Sequence, residues 1–298
     1  MHSKIMMNFT TSEEDLMRYQ SAEDLRRFYQ HFHLSGLELM PMSYPASTPL
    51  IEPDMIAGVH TRAINDWMDL NRSDLIRHYR EDLKYANEIG ASYVVFHLCQ
   101  VSPAEALGYP FVHTSEEVID ASCSLINELL DGQHYSFWFL MENMWYTGLD
   151  FCHADLTRKL LNGIHYSRKG FMLDTGHLMH TDLSLSTQEE ASEYILRILE
   201  NHRDILPYIK GLHLNQSLTG DLIRSSRQNP PQLARDSNEL FAQVFRHVFR
   251  VDRHEPFTDV GVKKILKKAD PEFITLEYIT TNRTQHARFL AEGMRALH

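Results

Sequence analysis

The feature that most constrains the fold is a rhythm: short apolar segments alternate with longer amphipathic ones along the whole chain. The short segments are Ile5–Phe9, Ser35–Met40, Ile56–His60, Tyr93–Leu98, Phe137–Glu142, Phe171–Asp174, Lys210–Leu214 and Phe273–Tyr278. They are brief and rich in β-branched or aromatic residues, the pattern of strands buried on both faces. Between them, Arg72–Ile89 carries Leu75, Ile76, Tyr79, Leu83 and Ala86 on one helical stripe, with Gly90 just past its end. Thr114-Ser115-Glu116-Glu117 reads as a capping box ahead of an apolar helix closed by Gly132. Glu189–Leu206 and Thr281–Leu297 have the same character. Strand–helix alternation of this kind over 298 residues predicts an α/β fold, a single closed (β/α)8 barrel covering 1–298. The alternative, an open doubly wound sheet, finds no Gly-rich phosphate loop to support it.

Two stretches break the rhythm. Pro41 to Pro53 is a Pro-rich loop expected to lie over one rim of the barrel. The connection after the seventh strand, residues 216–250, is long; it holds Pro230-Pro231 and a helix expected around Leu233–Phe249. Composition is that of an ordinary globular protein, with 43% hydrophobic and 23% charged residues, and no run is long enough to cross a bilayer. The start, Met1 to Met7, has no apolar leader-like run. The three cysteines, Cys99, Cys123 and Cys152, are widely spaced, so neither a disulfide framework nor a thiolate zinc site is indicated, and a cytoplasmic location is expected. A net charge of −11 argues against non-specific binding to nucleic acid, which is driven by phosphate neutralisation.

Histidine, at 18 residues, is the commonest metal-ligand side chain and is abundant here. Several of these histidines fall at strand ends together with carboxylates. The third strand ends in His60, the fourth in His97, the fifth in Glu142 and the sixth in Asp174-Thr175-Gly176-His177. The seventh carries His213, the insertion is followed by Asp252-Arg253-His254, and the eighth ends in Glu277. In a parallel barrel these ends converge on the C-terminal mouth, where such enzymes place their active sites. Carboxylates at the ends of apolar runs are costly to bury alone, and divalent cations with neutral imidazoles as co-ligands remove that cost. The other chemistry-bearing motifs are missing: there is no GxSxG elbow, His254-Glu255-Pro256 is no HExxH, and Cys99 has nothing beside it to mark a nucleophile.

On these residues the chain resembles the xylose-isomerase-like TIM-barrel superfamily and, within it, the endonuclease IV branch (AP endonuclease family 2). The resemblance runs over the whole chain in strand order and is specific at the motifs, including the Asp252-Arg253-His254 triplet with its central arginine. It implies up to three zinc ions held by His60, His97, Glu142, Asp174, His177, His213, Asp252, His254 and Glu277. Glu142 would bridge two ions, with His60 and His97 on one and Asp174, His213 and Glu277 on the other; His177, Asp252 and His254 would hold the third. Glu142, Glu277 and Arg253 would carry the catalysis, Glu277 by positioning water and Arg253 by its planar fork on a phosphate.

Two departures concern the substrate. The tyrosine that the nucleases carry after the first ligand histidine is not evident in Thr61-Arg62-Ala63, and the connection from His213 to Asp252 is longer than in those enzymes. Loops of this kind shape a DNA groove, so DNA is the weaker substrate expectation and a smaller phosphoester remains open. The alternative is a sugar or sugar-phosphate isomerase or epimerase. It would use one ion, Mn²⁺ or Mg²⁺, on Glu142, Asp174, His213 and Glu277, with Glu142 and Glu277 moving a proton next to a carbonyl.

Overall fold

The computed structural model describes residues 3–43 and 48–298; Tyr44 to Ser47 of the Pro-rich loop lie outside the described residues. Eight parallel strands close into a barrel: β1 (Lys4–Thr10), β2 (Gly36–Met40), β3 (Ile56–His60), β4 (Tyr93–His97), β5 (Trp138–Glu142), β6 (Lys169–Asp174), β7 (Ile209–His213) and β8 (Phe273–Leu276). Each strand pairs with its sequence neighbours, and β8 returns to β1 with Ile5 opposite Ile274 and Met6 opposite Thr275. The expected strands are all present, with ends shifted by up to two residues; β8 stops at Leu276, leaving Glu277 just past its end.

Alternation within each strand decides what goes where. Met6, Tyr93, Val95, Leu140, Met172 and Phe273 form one buried cluster, the filling of the barrel interior. Continuing two residues at a time along the same faces leads from Val95 to His97, from Leu140 to Glu142 and from Met172 to Asp174. The intervening residues, among them Val94, Phe96, Phe139, Met141, Phe171 and Leu173, pack outward in the larger cluster against the helices. These strands are therefore apolar at the base and carry their chemistry at the C-terminal end.

The helices α1 (Ala22–His31), α2 (Arg72–Glu88), α3 (Ser115–Leu130), α4 (Ala154–Gly163) and α5 (Gln188–Asn201) follow the barrel round. The capping box at Thr114 forms as expected, with both reciprocal hydrogen bonds between Thr114 and Glu117. Residues 216–251 leave the barrel as two helices, α6 (Gly220–Gln228) and α7 (Ser237–Val251). The helix expected around Leu233–Phe249 thus begins four residues later, because the Asp236 carboxylate caps the amides of Asn238 and Glu239. The first of the two was not expected, since Gly220–Gln228 is mostly polar and buries little beyond Ile223. An antiparallel bridge, Gln216 to Glu255, closes the base of the excursion. The chain then continues through α8 (Val262–Ala269) to β8 and ends in α9 (Arg283–Leu297). No helix among the described residues is long and apolar enough to cross a membrane.

Candidate metal centre

Strand register assembles the site. His97 stands opposite Glu142 across β4 and β5, and Asp174 stands opposite His213 across β6 and β7. Glu142 is fully buried and points its two carboxylate oxygens in different directions. Its Oε2 lies 3.1 Å from His60 Nε2 and 3.3 Å from His97 Nε2. Its Oε1 lies 2.9 Å from His213 Nδ1 and 3.4 Å from His177 Nδ1. Glu277 Oε2 completes this side, 3.1 Å from His213 Nδ1 and 3.4 Å from His254 Nδ1.

Three sets of side chains bring their ligand atoms within 4.8 Å of one another: His60, His97 and Glu142; Glu142, Asp174, His213 and Glu277; and Asp174, His177 and His254. They adjoin, because Glu142 belongs to the first two and Asp174 to the last two. Asp252, expected in the third set, lies beside it: its Oδ2 sits between His177 Nε2 at 3.2 Å and His254 Nε2 at 2.8 Å. Arg253, next to it in sequence, has an exposed side chain at the mouth. All nine expected ligands therefore gather in one place.

Local structure explains how they are held. Asp174 caps the short helix Thr175–Met179 by accepting from the His177 amide, which puts His177 one turn away on the same side. Asn215 Nδ2 donates to Asp174 Oδ2 at 2.7 Å, and Gly176 is required beside it, since a Cβ there would sit 2.0 Å from Asn215 Oδ1. Ser217 Oγ donates to Asp252 Oδ1 and accepts from the amides of Arg253 and His254. His254 itself adopts φ +45°, a left-handed conformation that a non-glycine residue keeps only where its surroundings impose it.

Electrostatically the cluster is crowded, and most of its side chains are buried. Burial would raise the Glu142 and Glu277 carboxyls, yet the surrounding histidines, His213 foremost, hold both below the ordinary range. Burial wins at Asp174, which is pushed up. Burial would likewise lower His254, but Asp252 and Glu277 outweigh it and push the imidazole up to about 9. The ion pairs these carboxylates make are with imidazoles, and two buried atoms aimed into the cluster, His254 Nδ1 and Glu277 Oε2, have no hydrogen-bond partner. Orphaned donor atoms, mixed imidazole and carboxylate chemistry and ligand-scale spacing all fit divalent cations.

One neighbour was not singled out from sequence. Glu38, midway along β2, is buried and sits 2.9 Å from His213 Nε2. Tyr93 and Thr275 donate their hydroxyls to it at 2.8 and 2.7 Å. The available signal was a lone carboxylate inside the apolar run Leu37-Glu38-Leu39, which cannot be buried without donors. Of the histidines outside the ligand sets, His180 and His202 are buried and hydrogen-bonded, to Thr219 and to Ile198 and Thr157 respectively. Cys99 is buried, with its thiol pushed up by burial, so it is inert as a nucleophile.

A family model described as xylose isomerase-like TIM barrel (AP endonuclease family 2) matches residues 4–297. The chain belongs to this family. Its fold is shared with endonuclease IV from Thermus thermophilus, at 16% identity and a TM-score of 0.56, over 99% of this chain and 98% of that one. It is equally shared with a D-tagatose 3-epimerase-like protein, at 15% identity and a TM-score of 0.56, over 99% and 98% of the two chains. A zinc-bound IOLI protein matches at 12% identity with a TM-score of 0.54, over 99% of this chain and 95% of that one. No curated protein matches the sequence. At such identities these likenesses speak for the barrel and leave the reaction to the site.

Proposed function

We propose that this xylose isomerase-like barrel is a divalent-metal-dependent hydrolase of phosphoesters, with a multinuclear zinc centre of the endonuclease IV type. The observation that carries the reading is the adjoining of three ligand sets through shared Glu142 and Asp174. A one-ion enzyme has no use for His60, His97, His177 and His254 as further ligands packed against the same carboxylates. Divalent ions bound there would lower the pKa of water and polarise a phosphoryl oxygen.

The chain's own residues supply the rest. Glu142 presents one oxygen to the His60 and His97 side and the other to the His213 side, so it ties two ligand sets together at fixed separation. Glu277, on the opposite wall, directs an oxygen that accepts no hydrogen bond into the centre and is suited to orient an attacking water. The exposed guanidinium of Arg253 stands where a substrate phosphate would enter, with a fork that matches two phosphoryl oxygens. Phosphodiester DNA is one substrate of this class. The net charge of −11 favours a smaller phosphoester. The three free cysteines fit a reducing compartment, the cytoplasm.

A second reading has its own support: Glu142, Asp174, His213 and Glu277 form a complete buried four-ligand set. With one Mn²⁺ or Mg²⁺, that set would serve a sugar or sugar-phosphate isomerase or epimerase. Glu142 and Glu277 would then exchange a proton with the carbon beside a carbonyl, and His60, His97, Asp252 and His254 would touch the sugar. Counting ions per chain in protein purified without chelator, alongside turnover of phosphomonoesters, phosphodiesters and ketoses, separates the two. Two or three ions with phosphoester turnover supports hydrolysis; one ion with ketose turnover refutes it.

A further inference from the structure

Within the proposed centre the histidine ligands are not held alike. His60 Nδ1 faces the Thr61 carbonyl at 2.7 Å, His177 Nδ1 the Asn143 carbonyl at 2.9 Å, and His97 Nδ1 the Asn65 side-chain oxygen at 3.2 Å. These hydrogen-bond partners are neutral, and His177 Nδ1 lies in addition 3.4 Å from Glu142 Oε1. His213 and His254 are turned the other way, with Nδ1 pointing into the cluster. His254 Nε2 meets Asp252, a carboxylate of the centre itself, at 2.8 Å, whereas His213 Nε2 meets the Glu38 carboxylate, which lies outside the ligand sets, at 2.9 Å.

We infer that Glu38 is a positioning residue that fixes His213 with its proton on Nε2 and its Nδ1 lone pair in the centre, so that the ion held by Glu142, Asp174, His213 and Glu277 is bound more tightly than its neighbours. This rests on the metal reading of the site. The geometry is over-determined. Glu38 stands on β2, separated from β7 by β1 and β8, and crosses the barrel interior to reach His213. Its Oε2 accepts from Tyr93 and Thr275, and both carboxylate oxygens face His213 Nε2, Oε1 at 2.9 Å and Oε2 at 3.2 Å. Thr275 is the register partner of His213 on β8, so the strand pairing that places the ligand also places one of the groups that hold its support. Tyr93 is locked in turn: its ring packs 4.5 Å from Phe273 and fills the space left by Gly58, where a Cβ would overlap the ring at 2.2 Å. A carboxylate behind an imidazole makes the opposite nitrogen a stronger donor to a cation and permits one ring orientation only.

Glu38→Gln keeps the shape and removes the charge. Zinc alone is the probe, titrated into chelator-stripped protein against a competing chromophoric chelator, with ions per chain counted. The expected result is one ion weakened about 10- to 100-fold, while the remaining ions keep wild-type affinity. Tyr93→Phe, which removes a donor from Glu38 without touching His213, shifts the same ion in the same direction by less. In zinc-loaded wild type, long-range proton–nitrogen NMR correlation should show His213 protonated at Nε2, with a slowly exchanging downfield proton; this readout decides the matter if Glu38→Gln does not fold. Unchanged zinc affinity in Glu38→Gln, an equal loss of all ions, or a His213 proton on Nδ1 overturns the assignment and leaves the metal reading standing. A wild-type protein that binds no divalent ion overturns the metal reading itself.

Discussion

The joint substitution Asp252→Ala with His254→Ala tests the number of ions most directly. Of the three ligand sets, only Asp174, His177 and His254 contains a substituted residue. Removing His254 reduces that set to two donors, and removing Asp252 with it avoids leaving a buried carboxylate stripped of its imidazole partner. The sets around Glu142 are untouched, so a chain holding three ions should hold two. Stability gives a second measure. At about 100-fold excess of metal over its dissociation constant, one ion stabilises the fold by about 2.7 kcal/mol. For a domain of 298 residues each kcal/mol is worth about 1.5–2 °C in Tm, so the metal-dependent rise in Tm should shrink by about 4–5 °C. Each protein is compared with its own chelated form, which subtracts whatever the substitutions do to the metal-free fold. Elemental analysis after gel filtration and paired melting curves are the assays. One ion per chain before and after the change, with an unaltered metal-dependent rise, would refute the three-set assignment and favour the isomerase.

Glu142→Gln and Glu277→Gln should each lower turnover by about 100-fold or more under either reading while circular dichroism shows an intact barrel; near wild-type turnover in either would mean the reacting atoms lie elsewhere. If DNA is the phosphoester, a duplex with an abasic site is cut by the metal-loaded enzyme, and log affinity falls linearly with log salt by about 0.9 per phosphate contacted; salt-insensitive or absent binding points to a small phosphoester. In chelated protein the His254 imidazole, pushed up to about 9, contributes stability that is fully present below about pH 6.5 and is lost as pH rises through 9. The lowered Glu142 and Glu277 carboxyls contribute stability that is present above about pH 4.3 and lost in acid. The metal-free chain should accordingly be most stable between those limits, and zinc binding should release protons and strengthen from pH 6.5 to 9. A metal-free Tm still rising at pH 8 would contradict that sign.

The barrel was legible because its strands are buried on both faces and so read as continuous apolar runs, with the break in apolarity marking each C-terminal end. That break is also why His60, His97, Glu142 and Asp174 stood out: polarity at the end of a buried strand has to be accounted for by chemistry. Glu38 escaped the same logic because it lies in the middle of its strand, where its partners Tyr93, Thr275 and His213 come from three other strands. Nothing local to β2 encodes those partners; they meet only once the barrel closes. The division of Asp174 and Asp252 between the third ligand set and its hydrogen-bonding rim is invisible for a related reason, since it depends on less than a side chain's length.

The long excursion after β7 poses the opposite problem, because a connection of that size separates His213 from Asp252 in sequence yet not in space. The bridge between Gln216 and Glu255 brings the two ends together, and Ser217 then binds Asp252 and the amides of Arg253 and His254 from the near side. With the base clamped in this way, the entropic cost of a longer loop grows only with the logarithm of its length. The middle of the excursion can therefore vary in length without moving a ligand, while the last turn of α7 itself holds Asp252 through the Val248 carbonyl. The excursion is thus free to shape what approaches the mouth while the centre stays fixed. Arg253 links the two: its backbone belongs to the clamp and its side chain to solvent at the entrance. Substrate choice in this chain is therefore expected to reside in the residues of α6 and α7, and the reaction in the strand ends beneath them.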